Sequence, residues 1–414
     1  MNKEHKIGFY KGFMLVLVTA ILSSLITYLV ISQNSDDNTK IILGNTKIES
    51  ISDDTKVEEG KYNSFIETIK SFKSLLQQEY KGDINEEEML EGAIKGYVNG
   101  LGDEYTEYFT KDEMKEFTQD TEGAFEGIGV YIGKQKDTEE VVVLSTIKDS
   151  PAEAAGLQSG DIFCKVNDED VRKADTSIVS SKVKGESGTD VNIVVERNGE
   201  EKSFTIKRGK VNIYHVETEI MNDNIGYMQL SAFSENCSQE FEEKYNELQK
   251  SNIKSLVLDL RNNGGGLVDE ALKIADLFVD KNQDLLITVD KNGKEEVKKS
   301  TSAKTVNVPV IILTNEYSAS ASEILAGALK ERAGAKIVGT TTYGKGVIQV
   351  LHSLSDGSGI KVTVKEYLTP NRNTINKVGI KPDEEVEVTT DQMLEGLQSK
   401  EKDLQLQKAL ELAK

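Results

Sequence analysis

The sequence predicts a multidomain α/β (α+β) protein, and three regions of the 414-residue chain support this prediction. Residues 13–31 form one apolar run, and residues 118–209 contain short alternating strands between Gly, Asp and Asn turns. After residue 211 strands alternate with helices, a pattern typical of helices packed on a sheet. A chain of this length can form two or three domains, each with its own hydrophobic core.

The composition argues against two classes of function. The chain has 70 acidic and 50 basic residues, and its formal charge of -20 would repel nucleic acid. Its three histidines and two cysteines show no spacing typical of a metal site, so neither a metal nor another cofactor is predicted. Cys164 and Cys237 allow one disulfide at most, and the apolar strand pattern around Cys164 favours a buried thiol.

The N-terminal apolar run predicts a transmembrane helix within residues 1–35. Its nineteen residues, at about 1.5 Å rise each, approach a hydrocarbon core of about 30 Å. Three lysines precede the run and Asp36 and Asp37 follow it, so the positive-inside rule places the N-terminus in the cytoplasm. We therefore expect a single-pass protein of the cell membrane with an extracytoplasmic body. A cleaved signal peptide is the alternative, although no Ala-x-Ala site follows the run.

The rest of the chain divides by composition and periodicity. Residues 36–60 are polar and acidic, as in a stalk, and residues 61–117 are mainly helical. The β-rich domain covers 118–209 and the strand–helix core covers 210–389. Residues 390–414 predict an amphipathic C-terminal helix. Its apolar stripe is consistent with a homodimer or with packing onto the core, and both interpretations stay open.

Two motifs in the β-rich domain resemble those of a PDZ domain. Gly127, Ile128, Gly129 and Val130 form a glycine-bracketed turn that enters a strand, where backbone N–H groups can bind a carboxylate and the strand edge can accept a peptide. Residues 150–162 follow as a short helix closed by glycine and then a strand. The resemblance implies capture of the C-terminal ends of peptides. An insert that only holds domains apart is the alternative.

Serines at the entry to a predicted helix are candidates for a nucleophile. Strand 308–314 ends in NEYSASASE, residues 315–323, and Ser320 would lie on a tight strand-to-helix turn beside unpaired helix N–H groups. Ser320 and Glu323 also have the spacing of a capping box, in which the serine only caps the helix. Spacing alone leaves both interpretations open.

Lys345, between Gly344 and Gly346, is the candidate general base. It follows the helix by one strand and one turn, so it can return to the same end of the sheet as Ser320. A free lysine has a pKa of about 10.4, whereas a useful base needs about 7–8, and burial away from anions can lower the pKa that far. Gln349, four residues further on, can hold the amine in place. A solvated loop lysine is the alternative, but it would not need two flanking glycines.

Backbone N–H groups near Ser320 are candidates for an oxyanion hole. The N–H of Ala321 directly follows the nucleophile, and further N–H groups lie in the loop that contains Gly264 and Gly265. This loop lacks the lysine of a Walker A motif and the spacing of a dinucleotide motif, so no nucleotide site is predicted.

In order, these motifs resemble those of the C-terminal processing peptidases, also called tail-specific proteases. The resemblance covers roughly residues 62–414. The matching segments are GAFEGIG at 123–129, the 150–162 stretch, DLRNNGGGL at 259–267, SASASE at 318–323, GKGVIQ at 344–349, LSDGSG at 354–359 and VGIKPD at 378–383. The resemblance implies a ClpP/crotonase-like peptidase core with an inserted PDZ domain.

The same resemblance implies a function and roles for particular residues. It implies a serine endopeptidase, without a metal, that cleaves protein or peptide substrates near their C-termini. Ser320 takes the place of the nucleophile, Lys345 that of the base, and Gln349 that of its support. In several members the PDZ domain gates the active site and terminal helices form a dimer. Relatives often have an arginine for substrate sensing, and Lys184 takes this position here as the candidate PDZ sensor.

Two other functions remain open at the level of sequence. One is a catalytically idle, membrane-tethered PDZ scaffold, which the presence of both Ser320 and Lys345 disfavours. The other is a conventional Ser/His/Asp hydrolase that uses His215 or His352.

Overall fold

The structure is a computed structural model that describes residues 59–135 and 138–414. The predicted transmembrane helix and all but the last two residues of the predicted stalk lie outside these ranges. Among the helices of these two ranges, none combines the length and the hydrophobicity that a membrane span requires. The described chain forms two compact units, a larger one of Glu116–Ile348 and Lys365–Lys414 and a smaller one of 59–115 and Gln349–Val364.

Helices and strands occur along the whole described chain. The helices are α1 (Glu59–Glu79), α2 (Glu86–Asn99), α3 (Lys111–Glu122), α4 (Pro151–Ala155), α5 (Thr176–Val183), α6 (Cys237–Gln249), α7 (Val268–Asp276), α8 (Ala321–Ala328), α9 (Thr390–Gln398) and α10 (Leu404–Leu412). Shorter helical turns are Asn222–Asn224, Leu329–Ala333 and Lys400–Lys402.

The strands are β1 (Glu107–Phe109), β2 (Ala124–Gly127), β3 (Val130–Lys134), β4 (Val141–Thr146), β5 (Ile162–Val166), β6 (Glu169–Asp170), β7 (Asp190–Arg197), β8 (Glu200–Lys207), β9 (Gly209–Asn212), β10 (Val216–Met221), β11 (Ile225–Leu230), β12 (Ser255–Asp259), β13 (Asp284–Asp290), β14 (Glu295–Lys299), β15 (Val310–Thr314), β16 (Lys336–Gly339), β17 (Val347–Ser353), β18 (Gly359–Leu368) and β19 (Glu384–Glu385).

The smaller unit begins with the two helices that the apolar periodicity predicts. Asn85 caps α2 by accepting the N–H of Glu88, and three glutamates in the first turn interact favourably with the positive end of the helix. Strand β1 pairs antiparallel with residues 359–361 of β18. Several apolar side chains of α1 are exposed, among them Phe65 and Phe72.

The β-rich domain belongs to the larger unit and is an antiparallel sheet of order β3-β4-β5-β7-β8, with β6 paired to β5. Ser150 caps α4, and Gly156 ends it in a left-handed conformation with φ 84°. The alternating strands bury one face around Ile128, Phe163 and Ile193, which form a separate hydrophobic core with the inner side of α5. A two-stranded ribbon of β2 and β9 closes the domain.

The second sheet of the larger unit has the order β10-β11-β12-β15-β16-β19. Strand β10 is antiparallel, whereas β11, β12, β15, β16 and β19 are parallel to one another. Every residue of β12 and β15 is buried, as in a sheet that helices cover on both faces. Because parallel strands end at the same edge, the loops that follow β12, β15 and β16 meet there.

A third group of strands in the larger unit pairs β13 antiparallel with β14 and with residues 365–368 of β18. Tyr367, the largest fully buried side chain of the described chain, lies in this last segment. Its backbone N–H donates to Gly346 O (2.9 Å), so this segment packs against the loop that carries Lys345.

The C-terminal segment differs from the prediction of one amphipathic helix over 390–414. Helix α9 ends at Gln398, Ser399 is extended, and α10 begins anew after Asp403. The reason is local, because Asp403 accepts the N–H of Leu406 and so caps a new helix. Apolar residues of α10, including Leu406 and Ala409, pack on the parallel sheet.

Candidate active site

The predicted nucleophile turn connects β15 to α8 at the carboxyl edge of the parallel sheet. Ser320 is the N-cap residue of α8, with φ 60° and ψ −109°. A side-chain-bearing residue adopts such a conformation only under strain, and strained turns of this kind are common where a nucleophile is presented at a strand end. All eight residues of α8 are buried, so the surrounding packing can hold the strain.

The hydrogen bonds of the three serines distinguish the middle one from its neighbours. Ser318 Oγ donates to Leu260 O (2.8 Å) and Ser322 Oγ donates to Asn263 O (2.8 Å), so both hydroxyls join the turn to the loop after β12. The hydroxyl of Ser320 is buried and has no hydrogen-bond partner within the described residues. The arrangement of a capping box is present and the N–H of Ser320 donates to Glu323, but the hydroxyl of Ser320 forms no hydrogen bond to α8.

Glu323 joins two segments through both of its carboxylate oxygens. One is the serine turn, residues 315–320 between β15 and α8, and the other is the lysine loop, residues 344–346. Oε2 accepts the backbone N–H of Ser320 (2.7 Å) and that of Lys345 (2.9 Å). Oε1 accepts the hydroxyl of Thr342 (2.6 Å) and the N–H of Gly344 (2.7 Å). Since one oxygen atom binds the backbone nitrogens of both Ser320 and Lys345, these two residues are held next to each other.

The pKa of Glu323 reflects two opposing effects. Burial raises the pKa, and the hydrogen bonds from Thr342 and from the backbone N–H groups of Ser320, Gly344 and Lys345 act against it. The net direction is upward, which shows how deeply this carboxyl group lies in the molecule.

The lysine loop is fixed by close backbone packing. A methyl group at Gly346 would overlap the backbone nitrogen of Asn376, so only glycine fits there. Lys377 N–H donates to Gly344 O (2.7 Å), and the hydroxyl of Tyr367 donates to Lys345 O. The loop thus needs its flanking glycines for the reason that the sequence indicates, and Lys345 itself is 2% exposed.

The glycine loop after β12 lies directly against the serine turn. A methyl group at Gly265 (φ 106°) would be 2.9 Å from Ala319 O and 3.1 Å from the nitrogen of Ala321. The N–H of Gly265 donates to Asn263 Oδ1 (2.9 Å), so in this structure it is already engaged. Of the predicted oxyanion donors, Ala321 and the glycine loop are therefore brought together through Gly265.

Gln349 and His352 lie on β17 in the smaller unit. Gln349 is fully buried, and its Nε2 is 3.4 Å from Thr363 Oγ1, while its Oε1 has no hydrogen-bond partner within the described residues. The side chain of His352 is exposed. The support of Lys345 by Gln349 remains a prediction from the sequence.

His215 lies between β9 and β10, and its surroundings do not resemble those of a catalytic histidine. Its Nδ1 is 3.1 Å from Ser231 Oγ, and its Nε2 is buried without a partner in the described part of the chain. Glu240 accepts the backbone N–H of His215, rather than a ring N–H. Burial lowers the pKa of His215 to about 4.

The predicted peptide-binding turn lies at the start of edge strand β3. The carbonyl of Ile128 accepts the N–H of Ala152 (2.7 Å), and that of Gly129 accepts the N–H of Ile147 (3.0 Å). Gly129 has φ 82°, and a side chain there would collide with Ser150. These contacts fix the turn that leads through Val130 into β3, and no described strand pairs with the outer edge of β3.

Lys184 lies immediately after α5 and close to this turn. Its Nζ is 5.6 Å from the centre of the Phe125 ring, and a methyl group on Gly127 would be 3.3 Å from its Cα. Another cation, Arg208, binds the last carbonyl groups of α5, donating to Lys182 O (2.7 Å) and Val183 O (3.1 Å).

Sequence reasoning missed the roles of Glu323, Asn263 and Arg208. Glu323 could have been found, because it is the one charged residue in the apolar helix sequence ASEILAGA, residues 321–328. The capping-box interpretation assigned this carboxylate only to the start of the helix. Asn263 and Arg208 act through long-range contacts that no local pattern reveals. Within the described residues, no cluster of His, Cys, Asp and Glu has the arrangement of a metal site.

Three family models match consecutive parts of the chain. "Peptidase family S41" matches residues 224–386 and "PDZ domain" matches residues 127–207. "Activating protease CtpB N-terminal domain" matches residues 20–113. The first match contains all the parallel strands of the second sheet, and the PDZ match contains strands β3 to β8 of the β-rich domain.

Proteins of bacilli and staphylococci are similar to this chain. "Carboxy-terminal processing protease CtpA" of Bacillus subtilis (strain 168) is 34% identical over 379 residues, which cover 91% of this chain and 77% of the relative. "Carboxy-terminal processing protease CtpB" of the same organism is 36% identical, with 77% and 67% covered. A "Probable CtpA-like serine protease" of Staphylococcus haemolyticus (strain JCSC1435) is 39% identical, with 76% and 63% covered.

This chain therefore matches less than two thirds of the length of the staphylococcal relative. The match to CtpA nevertheless extends over most of both chains, and the S41 and PDZ regions occur in the expected order. The chain belongs to peptidase family S41 and, within it, to the carboxy-terminal processing serine proteases.

Proposed function

We propose that this chain is a serine endopeptidase in which Ser320 is the nucleophile and Lys345 the general base. The observation that carries the proposal is the shared Glu323 oxygen, which binds the backbone N–H groups of both residues. It holds the only serine of the SASAS run whose hydroxyl has no partner within the described residues beside a buried lysine. This pairing supports a Ser/Lys dyad over a serine that only caps α8.

The reaction follows from these roles. A neutral Lys345 amine takes the proton of the Ser320 hydroxyl while Oγ forms a bond to the peptide carbonyl carbon. The resulting oxyanion is stabilised by the N–H of Ala321 and by the glycine loop, with Gly264 as the proposed second donor. When the C–N bond breaks, the lysine ammonium returns its proton to the leaving amine. The same amine then takes a proton from water, whose oxygen attacks the acyl carbon. As the ester C–O bond breaks, the lysine ammonium returns the proton to Ser320 Oγ, and the new carboxylic acid leaves.

Burial supports the neutral form of the lysine. Lys345 is 2% exposed, and removal from water disfavours the ammonium form. Gln349 would hold the amine, as the sequence resemblance implies. Ser320 is also fully buried, so a peptide substrate must displace the side chains that cover the hydroxyl.

We further propose that the PDZ domain captures the C-terminal carboxylate of substrates at the turn of Gly127, Ile128, Gly129 and Val130. The open edge of β3 supports this proposal, because an extended peptide can add there as a further strand. Lys184 provides a cation close to the turn. Capture would then raise the local concentration of the substrate chain and gate access to the buried serine.

Membrane anchoring and dimerisation complete the proposal. Residues 13–31 would place the protease on the outer side of the cell membrane, as their length and flanking charges indicate. Exposed apolar residues of α1, such as Phe65 and Phe72, support a homodimer through the N-terminal helices.

Turnover of an unstructured protein by the purified chain tests the catalytic assignment. Ser320→Ala and Lys345→Ala should each abolish cleavage. Lys345→Arg should abolish it as well, because a guanidinium group remains charged and cannot accept the proton. His215→Gln and His352→Gln serve as controls and should keep near-normal rates. Cleavage by Ser320→Ala would refute the assignment, and an inactive wild type that still binds C-terminal peptides would support the idle scaffold.

A further inference from the structure

An ion cluster at the end of β12 connects the glycine loop to the C-terminal segment. Arg261 immediately precedes the loop and forms a two-pronged bond with Asp403, Nη1 to Oδ1 at 2.9 Å and Nη2 to Oδ2 at 2.8 Å. It also binds Asp259 through Nε and Nη2, the latter at 2.6 Å. Gln405 accepts a further bond from Nη1 (3.1 Å).

The cluster is shielded from water, which gives these bonds strength. The side chains of Arg261 and Asp403 are each 16% exposed, and that of Asp259 is 1% exposed. Burial works against the charge on Asp403, but the hydrogen bond and charge of Arg261 prevail and hold the pKa of Asp403 below its ordinary value. Two parallel N–H···O bonds also fix the orientation of the guanidinium plane.

Hydrogen bonds continue from Arg261 to the serine turn. The next residue, Asn262, forms a reciprocal pair with Asn315, in which each bond is 2.9 Å long. The carbonyl of Asn263 then accepts the N–H of Ala319 (3.0 Å), and Gly265 lies against Ser320. Every link in this path is a direct contact within the larger unit.

We propose that Asp403 is a positioning residue for catalysis. By fixing Arg261 it sets the conformation of the glycine loop, and through the loop it sets the place of the oxyanion donors relative to Ser320. A misplacement of about 1 Å between reacting groups can cost about 10²-fold in rate. This inference rests on the proposed function, since it assigns Asp403 to the same reaction.

Asp403→Asn separates this role from the second role of the residue. Asp403 also caps α10 through the N–H of Leu406, and asparagine caps a helix equally well. The substitution therefore keeps the helix start and removes the charge that binds Arg261. Ser255→Ala is the matched control, because the hydroxyl of Ser255 donates to Ala413 O (2.6 Å) and fastens the other end of α10 without touching Arg261.

The experiment measures kcat and KM for a short internally quenched peptide with the full chain of each variant. We expect Asp403→Asn to lower kcat by about tenfold, less than the 10²–10³-fold that follows loss of an oxyanion donor, with KM within about twofold of wild type. Ser255→Ala should lower the melting temperature with kcat unchanged. Equal kcat losses in both variants, or wild-type kcat in Asp403→Asn, would overturn the inference.

Arg261→Lys provides a second variant if Asp403→Asn does not fold. Lysine keeps the charge but cannot bind two carboxylates through a planar fork, so the same loss of kcat at constant KM is expected. Wild-type kcat in Arg261→Lys would count against the inference. Ser320→Ala in the same assay separates the two claims. Residual activity of Ser320→Ala would refute the proposed function. An inactive Ser320→Ala beside a fully active Asp403→Asn would refute only the role of Asp403.

Discussion

The proposed active site and the proposed peptide groove use backbone hydrogen bonds in opposite ways. At the carboxyl edge of the parallel sheet, Glu323 already binds the N–H groups that surround Ser320 and Lys345. In the β-rich domain, β3 has no described strand partner on its outer edge. Fixed catalytic geometry requires a closed network of hydrogen bonds, whereas capture of an extended chain requires an open strand edge.

Removal of one charge from the closed network should have the largest effect. In Glu323→Gln, one carboxylate oxygen becomes an NH₂ group that faces two hydrogen-bond donors. We expect kcat/KM to fall by at least about 10²-fold, as for the loss of a fixed oxyanion donor, and the melting temperature to fall as well. Peptide turnover and differential scanning calorimetry measure the two quantities.

A neighbouring glutamate supplies the control for this prediction. Glu316 is exposed, and its carboxylate accepts a hydrogen bond from the hydroxyl of Thr340 at 3.2 Å. Glu316→Gln should therefore keep both activity and stability. Wild-type turnover by Glu323→Gln would show that the shared carboxylate does not organise the site.

His215, which lies between β9 and β10, should make the free energy of unfolding depend on pH, and this effect should be smaller than that of Glu323→Gln. Because the pKa of His215 is lowered to about 4 in the folded chain, the unfolded chain binds a proton first as the pH falls below about 6.5. His215 thus stabilises the fold fully above pH 6.5, and this stability is lost between about pH 6.5 and 4, at most about 3 kcal/mol in the free energy of unfolding.

Urea unfolding of wild type and His215→Gln at several pH values measures this contribution. The difference between the two free energies of unfolding should change across that pH window, since other titrating groups are common to both proteins. At neutral pH the variant should cleave peptides normally. Parallel pH profiles would contradict the buried, neutral state of the ring.

The smallest of these effects is expected at the open edge of β3, where the C-terminal group of a bound peptide should change its affinity. A peptide with a free C-terminal carboxylate should bind the chain about tenfold more tightly than the same peptide with an amide terminus, because charge-assisted hydrogen bonds to the turn at Gly127–Val130 are lost. Fluorescence polarisation with Ser320→Ala, which cannot consume the peptide, gives both affinities. Equal affinities would show that the groove does not bind the terminal carboxylate.

Local sequence patterns predict the parts of the molecule that depend on neighbouring residues. The strand before Ser320, the helix after it and the glycines beside Lys345 all follow from periodicity and from the need for close backbone packing. The capping-box spacing of Ser320 and Glu323 is also real, but it predicts a cap where the structure has a bridge between two loops. Whether Glu323 only caps α8 or also binds the lysine loop depends on the position of that loop, which the tertiary fold determines.

Long-range contacts account for most of what the sequence does not predict. Arg261 and Asp403 are far apart in the chain, and no local pattern pairs them. The sequence also does not predict the break between α9 and α10, because the apolar periodicity continues across it. The break occurs where the side chains of Ser399 and Asp403 accept backbone N–H groups and so start new helical turns. The pairing of Arg261 with Asp403 then gives this break a fixed place against the sheet.

Covalent labelling with a fluorophosphonate, followed by mapping of the adduct by mass spectrometry, identifies the nucleophile and shows whether Lys345 activates it. The Ser/Lys dyad predicts an adduct on Ser320 alone, formed rapidly in wild type and lost in Lys345→Arg. An adduct on Ser318 or Ser322, or unchanged labelling of Ser320 in Lys345→Arg, would contradict it.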